Sequence, residues 1–270
     1  MLDAHPEMCI PPETGFIPVA IRLHGQGAGL REGFFHKVTN FPTWQDFNLS
    51  PEAFHRALVE IDPFDVSAGM RAFYRLYAAR FDKKRWGDKT PGYCLSIDEI
   101  QTFLPEARFI HLIRDGRDVA LSLRGLWFAP GHDMTTLARD WRSHITKARE
   151  LSQRCRHYLE IRYEDLVYDT TAELQKICDF VDLPYDPRRG RYFEFARTRL
   201  DEVKTGYNLD GTVLITKEER LFNHRFTNEP PDTSRVFRWK QEMTPEMRAE
   251  FESVAGQLLA ELGYETQQQN

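Results

Sequence analysis

The chain has 270 residues, with 36 Lys+Arg against 41 Asp+Glu and a net charge of −5. That is enough for one large domain or two small ones with a full core, and 41% hydrophobic and 29% charged residues are ordinary for a soluble globular protein. The mild negative charge excludes a generally basic protein, so binding to nucleic acid or an anionic membrane needs a local patch.

Four cysteines, Cys9, Cys94, Cys155 and Cys178, lie far apart, with no C-x-x-C pair. They form no disulfide framework and read as reduced thiols of a cytoplasmic protein. No apolar run approaches the ~18 residues that span a bilayer. The N-terminus, Met1-Leu2-Asp3-Ala4-His5-Pro6, lacks the basic and apolar regions of a signal peptide.

In chain order, Ser50-Pro51-Glu52 supplies a cap, a first-turn proline and an early acid, opening a helix through Ile61. From Val66, the residues Met70, Phe73, Leu76, Tyr77 and Phe81 recur at helical spacing. Arg85–Gly87 is a weak strand, followed by a helix holding Leu95, Ile97, Ile100 and Phe103. Phe109–Ile113 is a compact apolar strand, and Tyr158–Tyr163 is another. Between them Leu137, Trp141, Ile145, Ala148 and Leu151 form a helical stripe. Thr244-Pro245-Glu246 opens a last helix that stops at Gly263, and Gln267–Asn270 reads as a polar tail. Helices separating short strands predict an α/β fold with a parallel sheet, in a single domain over 1–270. Such sheets bind ligands at the carboxyl ends of their strands.

Three segments occupy those ends. Arg114-Asp115-Gly116-Arg117-Asp118 follows the Phe109 strand, with a tight turn expected at Gly116 and Ser122 one helical turn after Asp118. A guanidinium fork, a hydroxyl and a helix N-terminus together suit a phosphate dianion. The alternative is that Arg114 and Arg117 pair with Asp115 and Asp118 in a capped helix start. Lys89, in Asp88-Lys89-Thr90-Pro91, is placed to meet an anion or is a solvated turn lysine. Tyr163 closes the Tyr158 strand, beside a base or at the core edge. Gly25-Gln26-Gly27-Ala28-Gly29 fails the G-x-G-x-x-G register, and no G-x-x-x-x-G-K-[ST] loop exists. Lys83-Lys84-Arg85 and Arg188-Arg189 read as solvated runs. His5, His24, His111 and His132 fall in no metal-ligand spacing.

The stretch "DKTPGYCLSIDEIQTFLPEARFIHLIRDGRDVALSL" from Asp88 to Leu123 resembles the core of bacterial PAPS-dependent sulfotransferases related to the tyrosylprotein and carbohydrate enzymes. "RYEDLVYDTTAELQKICDFVDLPYD" from Arg162, "SRVFRWKQEMTPE" from Ser234 and "MLDAHPEMCIPPET" from Met1 are similar to further segments of that family. The resemblance implies a P-loop-NTPase-like parallel sheet flanked by helices. It implies transfer of a sulfuryl group from 3′-phosphoadenosine 5′-phosphosulfate (PAPS) to an unidentified hydroxyl or amine acceptor, without a metal, nucleic acid or membrane span. By the same resemblance, Arg114 and Ser122 bind the 3′-phosphate, while Arg117 and Asp118 shape the turn. Lys89 contacts the 5′-phosphosulfate, Tyr163 lies beside the adenine, and Arg238 closes over the nucleotide, with Lys240 the weaker candidate there. Leu126 stands where relatives carry another basic contact, with Arg124 nearby. Glu13, after Pro11-Pro12, matches the general base; read without the resemblance, it is a capping or surface acid.

The family's first strand and its Arg-Ser-Gly-Thr-Thr phosphate loop have no counterpart in this sequence. The resemblance therefore implies a domain short by one strand, a loop and half a helix, roughly 15–20 residues. The expected consequences are an exposed sheet edge, poor solubility and weak nucleotide binding through the 3′-phosphate half. Two other classes remain in play. One is a truncated, inactive homologue that keeps only the 3′-phosphate site, and the other is a different transferase using a phosphorylated donor.

Overall fold

The computed structural model describes residues 1–25, 27–126, 128–207 and 210–267, and for 188, 189, 197, 198 and 223 the backbone alone. The expectations for Gln26, for the Arg188 and Arg189 side chains and for Gln268–Asn270 lie outside the described residues.

In chain order the regular elements begin with β1 (Met8–Cys9), α1 (Ile17–Ile21), α2 (Leu30–Thr39), α3 (Pro51–Val59) and α4 (Val66–Ala79). Next come β2 (Arg85–Trp86), α5 (Ile97–Phe103), β3 (Phe109–Ile113), α6 (Gly116–Leu123) and α7 (Met134–Ser152). They are followed by β4 (Tyr158–Arg162), α8 (Tyr163–Tyr168), α9 (Thr170–Phe180) and α10 (Phe193–Leu200). The chain continues with β5 (Gly206–Tyr207), β6 (Val213–Ile215), α11 (Lys217–Asn223), α12 (Trp239–Glu242) and α13 (Pro245–Glu261). Short 3-10 turns fill several connections, including Trp44–Phe47 and Pro91–Leu95.

These elements form two units, Met1–Ala107 with Asp186–Pro230, and Arg108–Tyr185 with Pro231–Asn270. The first is built on aromatic packing. Phe16, Phe34, Phe47, Phe54, Phe73, Tyr74 and Tyr77 are fully buried. Phe73 meets Phe16 and Phe47 edge to face at 4.8 and 5.0 Å, geometry that suits the ring quadrupoles. The helices start where their caps lie: Ser50 Oγ accepts from Ala53 N at 3.1 Å, and Asp65 caps Ala68 N at 2.8 Å. β1 pairs in parallel with β2, and β5 with β6 antiparallel.

In the second unit β3 and β4 pair in parallel from Phe109↔Tyr158 to Ile113↔Arg162. Helices α6, α7 and α13 bury Ile113, Ala120, Leu137, Trp141, Ile145, Phe251, Leu258 and Leu259 together. Gly116 starts α6, and its residue type answers to packing: a Cβ there would stand 2.5 Å from Trp141 and 2.7 Å from Phe251.

The expected parallel pairing is present, but among the described residues it forms two separate two-stranded parallel sheets plus the unforeseen β5–β6 hairpin. Some boundaries also move. α3 ends at Val59 rather than Ile61, and Tyr163 opens α8 instead of closing β4. Leu95 belongs to a 3-10 turn ahead of α5. Lys83 is not a solvated lysine: it is half-buried and donates to the Asp3 carbonyl at 2.6 Å. None of the four cysteines is in a disulfide. No helix among the described residues is long and apolar enough to cross a membrane.

Candidate functional site

In the second unit the parallel register brings the ends of β3 and β4 level, so the residues that follow them meet. The Arg114 guanidinium lies over the Tyr163 ring at 4.7 Å. Its Nη2 donates to the Arg235 carbonyl at 2.7 Å and stands 3.6 Å from Asp118 Oδ2. Asp118 is fully buried at the first turn of α6. It accepts from the backbone N–H groups of Phe237 and Trp239 at 2.8 and 2.9 Å, pinning the segment before α12 against α6. Burial pushes the Asp118 carboxyl above its ordinary value, although these two N–H bonds oppose the shift.

That anchorage delivers Arg238. Its Nη2 donates to Ser122 Oγ at 3.0 Å, while Ser122 donates to the Asp118 carbonyl at 2.9 Å. Arg114, Ser122 and Arg238 are thus tied to one carboxylate and its turn. The buried Nε atoms of Arg114 and Arg238 have no hydrogen-bond partner. Arg31 and Arg162 also carry a buried Nε without a partner, so what marks this place is the convergence of Arg114, Ser122 and Arg238 on one turn.

The two arginines of the turn have different roles. Arg117 is wholly buried. It donates to Asp115 through Nε and Nη2 at 3.0 and 2.7 Å, and through Nη1 to Glu252 at 2.7 Å and the Glu265 carbonyl at 2.8 Å. It also stacks on Trp239 at 3.6 Å. For Arg117 the helix-start pairing is therefore the correct reading, and it frames the turn. Lys240 is engaged with Glu265 at 2.6 Å. Arg124 is exposed beside Met247, with Nη1 3.7 Å from its Sδ.

Glu13 and Lys89 belong to the first unit, where they form an ion pair with side chains 47% and 62% exposed. Glu13 lies on a non-helical stretch after the two prolines. Of the residues next to the pair, Thr14 is fully buried and Asp88 and Thr90 are half-buried. Asp88 accepts from the hydroxyls of Thr14 at 2.6 Å, Tyr74 at 2.7 Å and Thr90 at 2.7 Å. Burial raises the Asp88 carboxyl, opposed by those hydroxyl bonds.

Sequence reasoning missed His224. Burial first, then the Lys89 ammonium, holds its imidazole below the ordinary value. No spacing signal pointed to it, because the neighbourhood is made by chain folding. It also missed Asp46, buried and held by Arg220 at 2.7 and 2.8 Å.

The Sulfotransferase family pattern matches residues 1–187. Nodulation protein NoeE of Sinorhizobium fredii (strain NBRC 101917 / NGR234) is 27% identical over 288 residues, covering 98% of this chain and 62% of that protein. Protein-tyrosine sulfotransferase A of Caenorhabditis elegans is 25% identical over 280 residues, covering 98% and 63%. The chain therefore spans a little over three-fifths of the length of these curated relatives. Among solved structures, the sulfotransferase domain from the curacin biosynthetic pathway superposes with a TM-score of 0.56 at 19% identity, covering 98% of this chain and 92% of that one. The sulfotransferase domain of the Synechococcus PCC 7002 olefin synthase gives 0.53 at 21% identity, covering 95% and 87%. These likenesses speak for the fold, and the family pattern covers well over half of the sequence: the chain belongs to the Sulfotransferase family.

Proposed function

We propose that this protein transfers a sulfuryl group from PAPS to a hydroxyl or amine acceptor. The observation that carries the reading is the convergence of Arg114, Ser122 and Arg238 on one turn, with two buried guanidinium N–H groups lacking partners. In this reading the 3′-phosphate binds there, receiving charge-assisted hydrogen bonds from both arginines and one from the Ser122 hydroxyl. Tyr163, already against Arg114, offers its ring to the adenine.

Bound PAPS supplies an activated sulfuryl group whose leaving group is adenosine 3′,5′-bisphosphate. Glu13 accepts the acceptor's proton as the new S–O or S–N bond forms. Lys89 stabilises the negative charge that builds on the leaving oxygen as the S–O bond to phosphate breaks. Glu13 and Lys89 hold each other in this structure.

The same reading keeps residues 1–270 in one sulfotransferase-like domain of P-loop-NTPase-like architecture.

The test is transfer of radiolabelled sulfuryl from PAPS to a phenolic or sugar hydroxyl. Transfer that falls by about 10²- to 10⁴-fold in Glu13→Gln supports the reading. No labelled product from the purified protein with any acceptor, while adenosine 3′,5′-bisphosphate still binds, supports the inactive nucleotide-binding alternative instead.

A further inference from the structure

We propose that Asp88 is a positioning residue, whose buried carboxylate sets the geometry of the Glu13–Lys89 pair through a closed hydroxyl network. The proposal rests on the role given to that pair under Proposed function.

With Asp88 ionised, one assignment of protons satisfies the network. Thr14, Tyr74 and Thr90 each donate a hydroxyl proton to Asp88, two to Oδ2 and one to Oδ1. With its proton committed, Thr14 Oγ1 accepts from Tyr93 OH at 2.7 Å, and Tyr93 OH accepts from Ile17 N at 3.2 Å. Thr90 Oγ1 accepts from Thr14 N at 3.1 Å. Thr43 adds a hydroxyl bond to the Thr14 carbonyl at 3.1 Å. Every donor is used, and the scheme closes only if both Asp88 oxygens act as acceptors.

A buried carboxylate is costly, and this one has hydroxyl partners but no cationic one among the described residues. Its position explains what that cost secures. Thr14 follows Glu13 in the chain, and Asp88 precedes Lys89. The Thr14–Asp88 bond and the Thr14 N–Thr90 bond therefore clamp two segments far apart in sequence, one on each side of the ion pair. Tyr74 is itself fixed by stacking on Trp86 at 4.4 Å, so the network is anchored in the aromatic core. A partly satisfied network of this kind loses its geometry, and a misplacement of about 1 Å at a reacting group costs on the order of 10²-fold in rate.

The experiment compares Asp88→Asn, Tyr74→Phe, Glu13→Gln and the Asp88→Asn/Glu13→Gln double variant. The assay is transfer of label from PAPS to 4-methylphenol, with adenosine 3′,5′-bisphosphate affinity measured alongside. Asp88→Asn is expected to lower kcat by about 10²-fold, leaving KM for the phenol and bisphosphate affinity within about twofold. Tyr74→Phe keeps the stack on Trp86 and removes one hydroxyl donor, so it gives a smaller fall of the same kind and serves if Asp88→Asn does not fold. On the Glu13→Gln background the Asp88 change should cost clearly less than in the wild type, because the part of its effect that runs through Glu13 is already gone and only the part through Lys89 remains. Wild-type kcat in both Asp88→Asn and Tyr74→Phe, or an Asp88 effect of equal size on the Glu13→Gln background, overturns the proposal. Wild-type kcat in Glu13→Gln alone instead overturns the base assignment.

Discussion

Arg114 and Arg117 stand three positions apart on one turn, yet their surroundings predict opposite behaviour. Arg114 keeps a buried N–H without a partner, whereas every N–H-bearing arm of Arg117 is engaged. Arg114→Ala should leave the fold intact and cost about 2–3 kcal/mol of affinity for adenosine 3′,5′-bisphosphate, read by calorimetry. Arg117→Ala leaves Asp115 buried without its guanidinium and should cost about 3–5 kcal/mol of folding stability, read by denaturant unfolding. A folded, wild-type-stable Arg117→Ala would contradict the framing role. Lys89→Ala should lower turnover by 10²- to 10³-fold, the magnitude typical for removing one group that stabilises developing charge. Bisphosphate affinity should change little in the same variant. If affinity falls as much as turnover, Lys89 is holding ground-state phosphate rather than acting on the transferring group.

At the scale of elements, the caps were legible and the long-range ties were not. Ser50 and Thr244 announce α3 and α13 by local chemistry, and both caps are made. The Asp118–Ser122 face was also readable from spacing, because an i,i+4 relation needs no tertiary information. β1 escaped because two residues carry no periodicity, and it exists only by pairing with β2 from a distant segment. The same holds for the Asp46–Arg220 pair, which ties the 3-10 turn at Trp44–Phe47 to α11. Arg220→Met strands a buried carboxylate that otherwise accepts from Arg220 and the Lys204 N–H. It should lower stability by about 3–5 kcal/mol, and the joint Asp46→Leu/Arg220→Met change should recover most of that loss. An additive double variant would sink this account of the tie.

Across the whole molecule, buried ionisable groups set how stability follows pH. Burial raises the carboxyls of Asp88, Asp118 and Glu164, so what they contribute is fully present below their unfolded values and fades as pH rises through the raised ones. Glu160 works the other way. Burial opposes its ionisation, but two bonds from Arg149, at 2.8 and 2.6 Å, outweigh it and hold the carboxyl well below its usual 4.5. Its contribution is present above that value and is lost as pH falls. Arg149→Met should therefore lower Tm at pH 7 by more than at pH 3; an equal drop at both would show that the ion pair contributes nothing. Function at this scale rests on the nucleotide. The resemblance pointed to the residues that follow β3 and β4 as the proposed nucleotide site, while the backbone anchorage of Asp118 that delivers Arg238 needed coordinates. The most direct measurement compares binding of adenosine 3′,5′-bisphosphate and adenosine 5′-monophosphate by calorimetry, in the wild type and in Arg114→Ala. The account predicts that the 3′-phosphate tightens binding at least about tenfold, from its charge-assisted hydrogen bonds, and that Arg114→Ala removes most of this advantage. Equal affinity for the two nucleotides in the wild type would contradict it.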